Sequence, residues 1–338
     1  MASFGRTASA GESMITCRTP LRISYVGGGS DLPAFYRNHG GAVLSSTIGK
    51  YVYVSSHQFF EPDRIRVKYS NVETVSNPKD LKHPLLRAIL TRLQTSAGVE
   101  ITSVADVPAG TGMGSSSSFA VAMLHNLMVH ADRRAEATKA WLAEQACAVE
   151  LVDLGETIGK QDQYAAAFGG FQIYEFNPDD TVTVRPVPIK DPQGWLSHLR
   201  LYYLGTQRSA SAILAEQTVE TARRDKQAVL REMVALVAPL SVALSTGAWS
   251  DGGQLMHENW KLKKSLASGI TDAGIDDVYS RALRAGAVGG KLLGAGGGGF
   301  MLFVADPDQH SRLDAALAFL RPISFDWDFN GSQIIYSE

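Results

Sequence analysis

An α+β protein of two domains is the fold class that the sequence predicts, and three observations carry it. Strand-like and helix-like segments are mixed, without the strict alternation that a parallel βαβ sheet requires. The chain has 338 residues, beyond the commonest size of a single domain. A loop-like stretch, K-D-P-Q-G-W at residues 190–195, separates a strand-rich first half from a helix-rich second half. The expected division is a loose tail at 1–13, a first domain at 14–192 and a second at 193–338.

The elements follow in order. Residues 14–26 and 42–60 hold β-branched and aromatic side chains and read as strands, and R-I-R-V-K-Y at 64–69 alternates. Residues 84–96 read as a helix with proline near its first turn. Further helices are expected at about 116–130 and 135–154. Residues 170–187 read as a hairpin, F-Q-I-Y-E-F and T-V-T-V-R-P-V joined by N-P-D-D. The second half should open with the strand L-R-L-Y-Y-L, followed by one long helical stretch over 209–244. Helices at 252–267 and 272–285 come next, then a strand-loop-strand around Gly294 and Gly299. A helix at 309–320 and two strands ending at Tyr336 close the chain.

Composition excludes several classes. Hydrophobic content of 45% and charged content of 20% suit a globular protein. A net charge of −2 gives no electrostatic case for nucleic acid or a membrane surface. The two cysteines, Cys17 and Cys147, form no C-x-x-C pair, which argues against a zinc cluster or disulfide framework and favours a reducing, cytoplasmic setting. No apolar run is expected to span a membrane. The opening residues lack the apolar core of a signal peptide. The eight histidines show no ligand spacing, and His257-Glu258 lacks the second histidine of H-E-x-x-H.

The segment P-A-G-T-G-M-G-S-S-S-S-F carries the chemistry. Gly110, Gly112 and Gly114 allow positive φ and close approach of a ligand. Ser115, Ser116 and Ser117 then fall on a first helical turn, where free amides and the helix dipole favour phosphate. With Pro108, Thr111 and Met113 they make a candidate nucleoside triphosphate loop, whose hydroxyls can also serve Mg²⁺. No lysine follows Gly114, so this is not the G-x-x-x-x-G-K-[ST] loop. A literal G-x-G-x-x-G at Gly294, Gly296 and Gly299 leads into the strand-like F-M-L-F-V, the wrong context for a dinucleotide site.

Two other glycine-rich segments, R-T-P-L-R-I-S-Y-V-G-G-G-S-D-L-P from Arg18 and K-L-L-G-A-G-G-G-G-F from Lys291, lie far from this loop and need a common cause. In this order, the three resemble the signature segments of the GHMP kinase superfamily over nearly the whole chain. The resemblance implies a ribosomal protein S5 domain 2-like amino-terminal domain and a ferredoxin-like carboxy-terminal domain. It also implies ATP on the serine loop, Mg²⁺ as cofactor, and Gly296 and Gly297 helping to shape the acceptor site. Glu150, late in a helix, and Asp162 in G-K-Q-D-Q-Y look like the family's metal-binding glutamate and the aspartate that faces the acceptor hydroxyl. Glu150 with Ser115 or Ser116 would hold the metal, with Asp153 and Glu156 as competing carboxylates. Asp162 would accept the substrate proton. Arg22 would pair with that carboxylate and stabilise charge on the moving phosphoryl group, since an arginine does not readily act as an acid or base.

One departure bears on the acceptor. Galactokinase-like chains carry G-E-H-T-D where this chain has Gly27, Gly28, Gly29, Ser30 and Asp31. Asp31 is kept as a candidate for sugar hydroxyls, and the glycines open room for a bulkier or more charged acceptor. Within the superfamily the strings resemble the branch that phosphorylates the anomeric hydroxyl of a heptose 7-phosphate. Lys160, Arg208 and the basic run at Lys261, Lys263 and Lys264 are then candidates for the acceptor phosphate, the run otherwise being a solvated helix face. A kinase of an unphosphorylated sugar such as fucose or galactose, and a catalytically silent ATP and sugar sensor, are the alternatives. The expected partners are ATP and a sugar or sugar phosphate. Nucleic acid and membrane are not expected, and a homodimer is left open.

Overall fold

The computed structural model describes residues 14–205, 210–221 and 223–338. Arg208 and the tail expected at 1–13 lie outside the described residues. The first half lays down β1 (Ile15–Val26), α1 (Pro33–His39), β2 (Gly41–Gln58), β3 (Ile65–Lys68), β4 (Val72–Val75), α2 (Pro84–Arg92) and β5 (Val99–Ala105). It continues with α3 (Ser115–His130), α4 (Lys139–Cys147), α5 (Gln161–Phe168), β6 (Phe171–Phe176) and β7 (Val182–Pro186). The second half comprises α6 (Pro192–Ser197), β8 (Leu199–Tyr203), α7 (Ala210–Glu220), α8 (Arg224–Ala235), α9 (Val237–Thr246), α10 (Trp249–Lys264) and α11 (Ala273–Arg284). β9 (Ala287–Leu292), β10 (Phe300–Ala305), α12 (His310–Ala316), β11 (Arg321–Ile323), β12 (Trp327–Asp328) and β13 (Gln333–Ser337) complete it.

Two sheets result. The larger has nine strands along β13-β1-β2-β5-β3-β4, with β12, β6 and β7 attached through β2. The smaller runs β11-β8-β10-β9 and is antiparallel throughout. β2 is long enough to serve several partners: besides β1, its first residues pair β6, Thr47 and Ile48 pair β12, and its last residues pair β5. α3 is apolar nearly all round, as a helix buried on every side must be, and its residues fill the core beneath the large sheet. A second core joins the halves: Leu21, Ile23 and Tyr25 of β1 pack in one cluster with Trp195, Leu240 and Leu302.

The expected α+β class holds, with differences in detail. The single helix expected over 209–244 is three helices, α7, α8 and α9, broken around residue 223 and again at Leu236. Among the described residues, Arg224–Thr246 is long and apolar enough to meet the length and hydropathy of a membrane span, contrary to the expectation that no run would. Its apolar residues Leu230, Met233, Leu240 and Leu244 are instead buried against the rest of the fold. The helix expected over 135–154 ends at Cys147 and gives way to a π-helical turn, Ala148–Asp153. α5 was not anticipated, because Q-D-Q-Y-A-A-A-F is short and weakly amphipathic. The boundary at 192/193 remains a proposal for the linker. β12 and β13, which follow it in sequence, hydrogen-bond into the first sheet.

Candidate active site

The three glycine segments meet. Gly112 and Gly114 hold φ of 80° and 75°, in the region that side chains rarely adopt. A Cβ added to Gly112 would lie 2.5 Å from the Leu293 carbonyl oxygen, and one on Gly294 would lie 2.3 Å from the Gly112 Cα. One on Gly299 would lie 2.2 Å from the Thr111 carbonyl oxygen. The serine loop and the third segment therefore pack backbone on backbone, and only glycine permits it. The first segment joins through Arg22, whose amide donates to the Met113 carbonyl at 3.1 Å and whose guanidinium donates to the Gly112 carbonyl at 2.6 Å.

The loop leaves Pro108 and Gly110 exposed, while the Thr111 hydroxyl folds inward onto the Pro108 carbonyl at 2.9 Å. Gly114 caps α3, so the first free amides of that helix open beside Ser115, Ser116 and Ser117. Met113 is buried and anchors the turn.

Arg22 donates from Nε to Asp162 Oδ1 and from Nη2 to Asp162 Oδ2, both at 2.7 Å. This fork geometry fixes the plane of the carboxylate as a single contact would not. Asp162 stands on the first turn of α5, its side chain 28% exposed against 7% for Arg22, so the acid faces the open side of the pair. A Cβ on Gly114 would sit 3.2 Å from Asp162 Oδ2, which places the carboxylate against the glycine-serine loop.

Glu150 lies in the π-helical turn and is 2% exposed. Its partners are neutral: the Ser116 hydroxyl at 3.0 Å, the Ser117 hydroxyl at 2.7 Å and the Gln163 amide at 2.7 Å. Burial pushes its carboxyl above the usual range, against those three donors. A buried carboxylate with neutral partners and an exposed serine hydroxyl beside it form a donor set that suits Mg²⁺, which takes few protein oxygens. The competing carboxylates lie elsewhere: Asp153 is ion-paired with Arg92 at 2.7 Å and Glu156 is exposed.

Asp31 is buried where the first segment turns, accepting from the Gly29 amide at 2.9 Å and the Gln161 amide at 3.3 Å. Burial, and then the charge of Asp162, raise its carboxyl above the usual range. Gly28 lines the same turn beside the Ser24 hydroxyl and Gln161. Ser30 instead ties the turn to β2, exchanging hydrogen bonds of 3.1 Å with the backbone of Ala42. Gly296 and Gly297 pack on the turn at Ile270, Gly297 donating to the Ile270 carbonyl at 3.0 Å. Lys160 does not join the cluster: its ammonium donates to the Asp180 carbonyl at 2.7 Å and lies 5.0 Å over the Tyr36 ring.

Of the basic run, Lys261 ion-pairs with Glu258 and Lys264 with Asp276 on the outside of α10. Lys263 is buried, donates to the Gly294 carbonyl, and is brought down to about 8 by burial and by Arg22. Sequence reading passed over Lys291, also buried, which burial and the charges of Lys263 and Arg22 hold well below its ordinary value. A lysine inside the apolar run V-G-G-K-L-L was the available signal.

A glycine-serine loop at a helix N-terminus, a forked Arg–Asp pair and a buried carboxylate meet on a two-sheet α+β scaffold, an arrangement suited to phosphoryl transfer. Residues 82–170 match the GHMP kinases N terminal domain and residues 240–321 the GHMP kinases C terminal domain. The chain belongs to the GHMP kinases. It is 28% identical to the D-glycero-alpha-D-manno-heptose 7-phosphate kinase of Campylobacter jejuni, over 90% of this chain and 93% of that one. It is 27% identical to the L-fucokinase/L-fucose-1-P guanylyltransferase of Bacteroides fragilis over 89% of this chain, which spans only 36% of that longer protein. The solved D-glycero-D-manno-heptose 1-phosphate kinase of Bacteroides thetaiotaomicron superposes with a TM-score of 0.77, at 24% identity over 95% of this chain and 99% of that one. Galactokinase of Lactococcus lactis, in complex with galactose, superposes at 0.73, with 16% identity over 95% of each chain. At those identities the two structures speak to the fold alone.

Proposed function

We propose that the chain transfers the γ-phosphoryl group of ATP to the anomeric hydroxyl of D-glycero-D-manno-heptose 7-phosphate, giving the 1,7-bisphosphate. The observation that carries the reading is the Arg22–Asp162 fork, set against a loop shaped for phosphate. The acceptor oxygen attacks the γ-phosphorus, its proton moves to an Asp162 carboxylate oxygen, and the bond to the bridging oxygen breaks to release ADP. Arg22 orients Asp162 and neutralises charge that builds on the transferring group. The amides and hydroxyls at Ser115, Ser116 and Ser117 receive the donor phosphates. Glu150 and Ser116 would hold Mg²⁺, which supplies charge neutralisation to the nucleotide phosphates. The 28% identity to a heptose 7-phosphate kinase over 90% of the chain supports the substrate. A cytoplasmic setting fits the two free, buried cysteines.

The likeness to an L-fucokinase favours a second reading, a kinase of an unphosphorylated sugar. Phosphorus NMR of the reaction mixture separates the two. The heptose reading expects a product with two phosphate signals, one coupled to the anomeric proton. A product with one phosphate, formed only from a free sugar, would replace it with the second reading.

A further inference from the structure

Around the turn at residues 27–31, buried hydrogen-bond donors outnumber their acceptors. Asn259, fully buried, takes the Gly27 amide on its Oδ1 at 3.0 Å, and its Nδ2 finds no acceptor among the described residues. Gln217, 2% exposed, brings Nε2 to 2.4 Å from the point a Gly29 Cβ would occupy, and that nitrogen also lacks an acceptor there. Gln161 Nε2, on the other flank, is a third. Lys263, one helical turn after Asn259 on α10, is buried and donates to the Gly294 carbonyl, and Lys291 on β9 is buried too. The charge of Asp31 bears on both lysines, and that of Asp162 on Lys263 as well. Asp31 already accepts two backbone amides, and Asp162 is taken up by Arg22. Two buried lysines and Arg22 thus stand with two carboxylates, and three amide donors are unpaired among the described residues. Native interiors rarely leave buried donors idle, so the missing partner is a ligand rich in acceptors and carrying negative charge.

Taking the kinase reading above as its basis, we propose that Lys263, Lys291, Asn259 and Gln217 form a seat for a phosphate group carried by the acceptor, beside the turn at 27–31. A phosphate monoester offers only acceptor oxygens and a double charge, which matches ammonium and amide donors. The glycines at 28 and 29 keep the turn free of side chains that would fill the seat. The phosphate could belong to the nucleotide or the acceptor, and the two amides favour the acceptor: Asn259 and Gln217 reach the turn at Gly27 and Gly29, whereas the serine loop presents the backbone amides at Ser115, Ser116 and Ser117.

Steady-state kinetics with Lys291→Met and Lys263→Met test this, using MgATP with the heptose 7-phosphate and with the same heptose lacking its phosphate. The expected result is a KM for the heptose phosphate raised roughly 10- to 100-fold, the size of a lost charged hydrogen bond. The KM for MgATP should stay within about twofold, and Lys263→Arg should recover part of the loss. An equal loss for both acceptors, or a loss on MgATP instead, overturns the seat. Wild-type turnover confined to unphosphorylated sugars overturns it too, but leaves the kinase standing; no ADP release with any acceptor sinks the kinase reading itself. Methionine is a conservative exchange for a buried lysine chain, and circular dichroism checks that each variant folds. Should one not fold, inorganic phosphate with the unmutated protein gives a second measurement. Competition with the heptose phosphate but not with ATP is expected, and the reverse pattern contradicts the seat.

Discussion

Asp162 and Arg22 are 140 residues apart in sequence and touch through two hydrogen bonds of 2.7 Å. Asp162→Asn keeps the shape and removes the proton acceptor. We predict that it lowers kcat roughly 10²- to 10⁴-fold, the usual worth of a general base. Binding of MgATP, measured by calorimetry, should persist. A variant with unchanged kcat would remove Asp162 from the chemistry. Lys263 gives a pH signature. It stands at about 8 in the free protein against an ordinary 10.5, faced by Arg22 from β1, Asp31 from the turn, Asp162 from α5 and Lys291 from β9. Between those two values the folded state binds fewer protons than the unfolded state, so stability of the free enzyme should rise with pH across that window. Affinity for a phosphorylated acceptor should run the other way, its KM climbing as pH passes 8. Lys263→Arg, which stays charged, should flatten that climb in a KM–pH profile. Arg22, Asp162 and Asp31 could be singled out as candidates because each stands in a short local pattern, and Glu150 because the family resemblance pointed to it. Lys291, Asn259 and Gln217 could not, because their proposed role depends on elements brought together from across the chain. Asp153 and Glu156 were the competing carboxylates; Glu150 is buried, whereas Asp153 is ion-paired with Arg92 and Glu156 is exposed.

Among the elements, the glycine segments act as one unit. Gly294→Ala would force a side chain at φ 74° into the Gly112 backbone, 2.3 Å away. The left-handed backbone alone costs about 1–2 kcal/mol, and the clash adds to it. Thermal unfolding should show a fall of several degrees together with weaker MgATP binding, because the phosphate loop rests on this contact. An unchanged melting temperature would contradict the packing described. The sequence marked these loops well, since glycine runs next to strands have few other uses. It marked the helices less well. The stretch over 209–244 stays apolar and helix-favouring through its breaks, and Pro239 sits in the first turn of α9, where proline does no harm. The π-helical turn that carries Glu150 has no local signal either; it coincides with Glu150 turning inward while Val152 is 76% exposed.

At the scale of the whole molecule, the two halves are held by a shared core and by the return of β12 and β13 to the first sheet. That crossing was invisible in sequence, because short closing strands look alike whichever sheet they join. A ligand that bridges the loops of both halves should stabilise the whole chain. At a hundredfold excess over its Kd, a non-hydrolysable ATP analogue with Mg²⁺ should add about 2.7 kcal/mol, read as a raised melting temperature. Absence of any shift at saturation would argue against the nucleotide site. The most direct test of the central claim is ADP release with MgATP across a panel of acceptors: D-glycero-D-manno-heptose 7-phosphate, galactose, fucose, mannose, homoserine and mevalonate. Turnover on the heptose phosphate above all others, abolished in Asp162→Asn, is the predicted result. Turnover on a free sugar or on mevalonate with none on the heptose phosphate would contradict it.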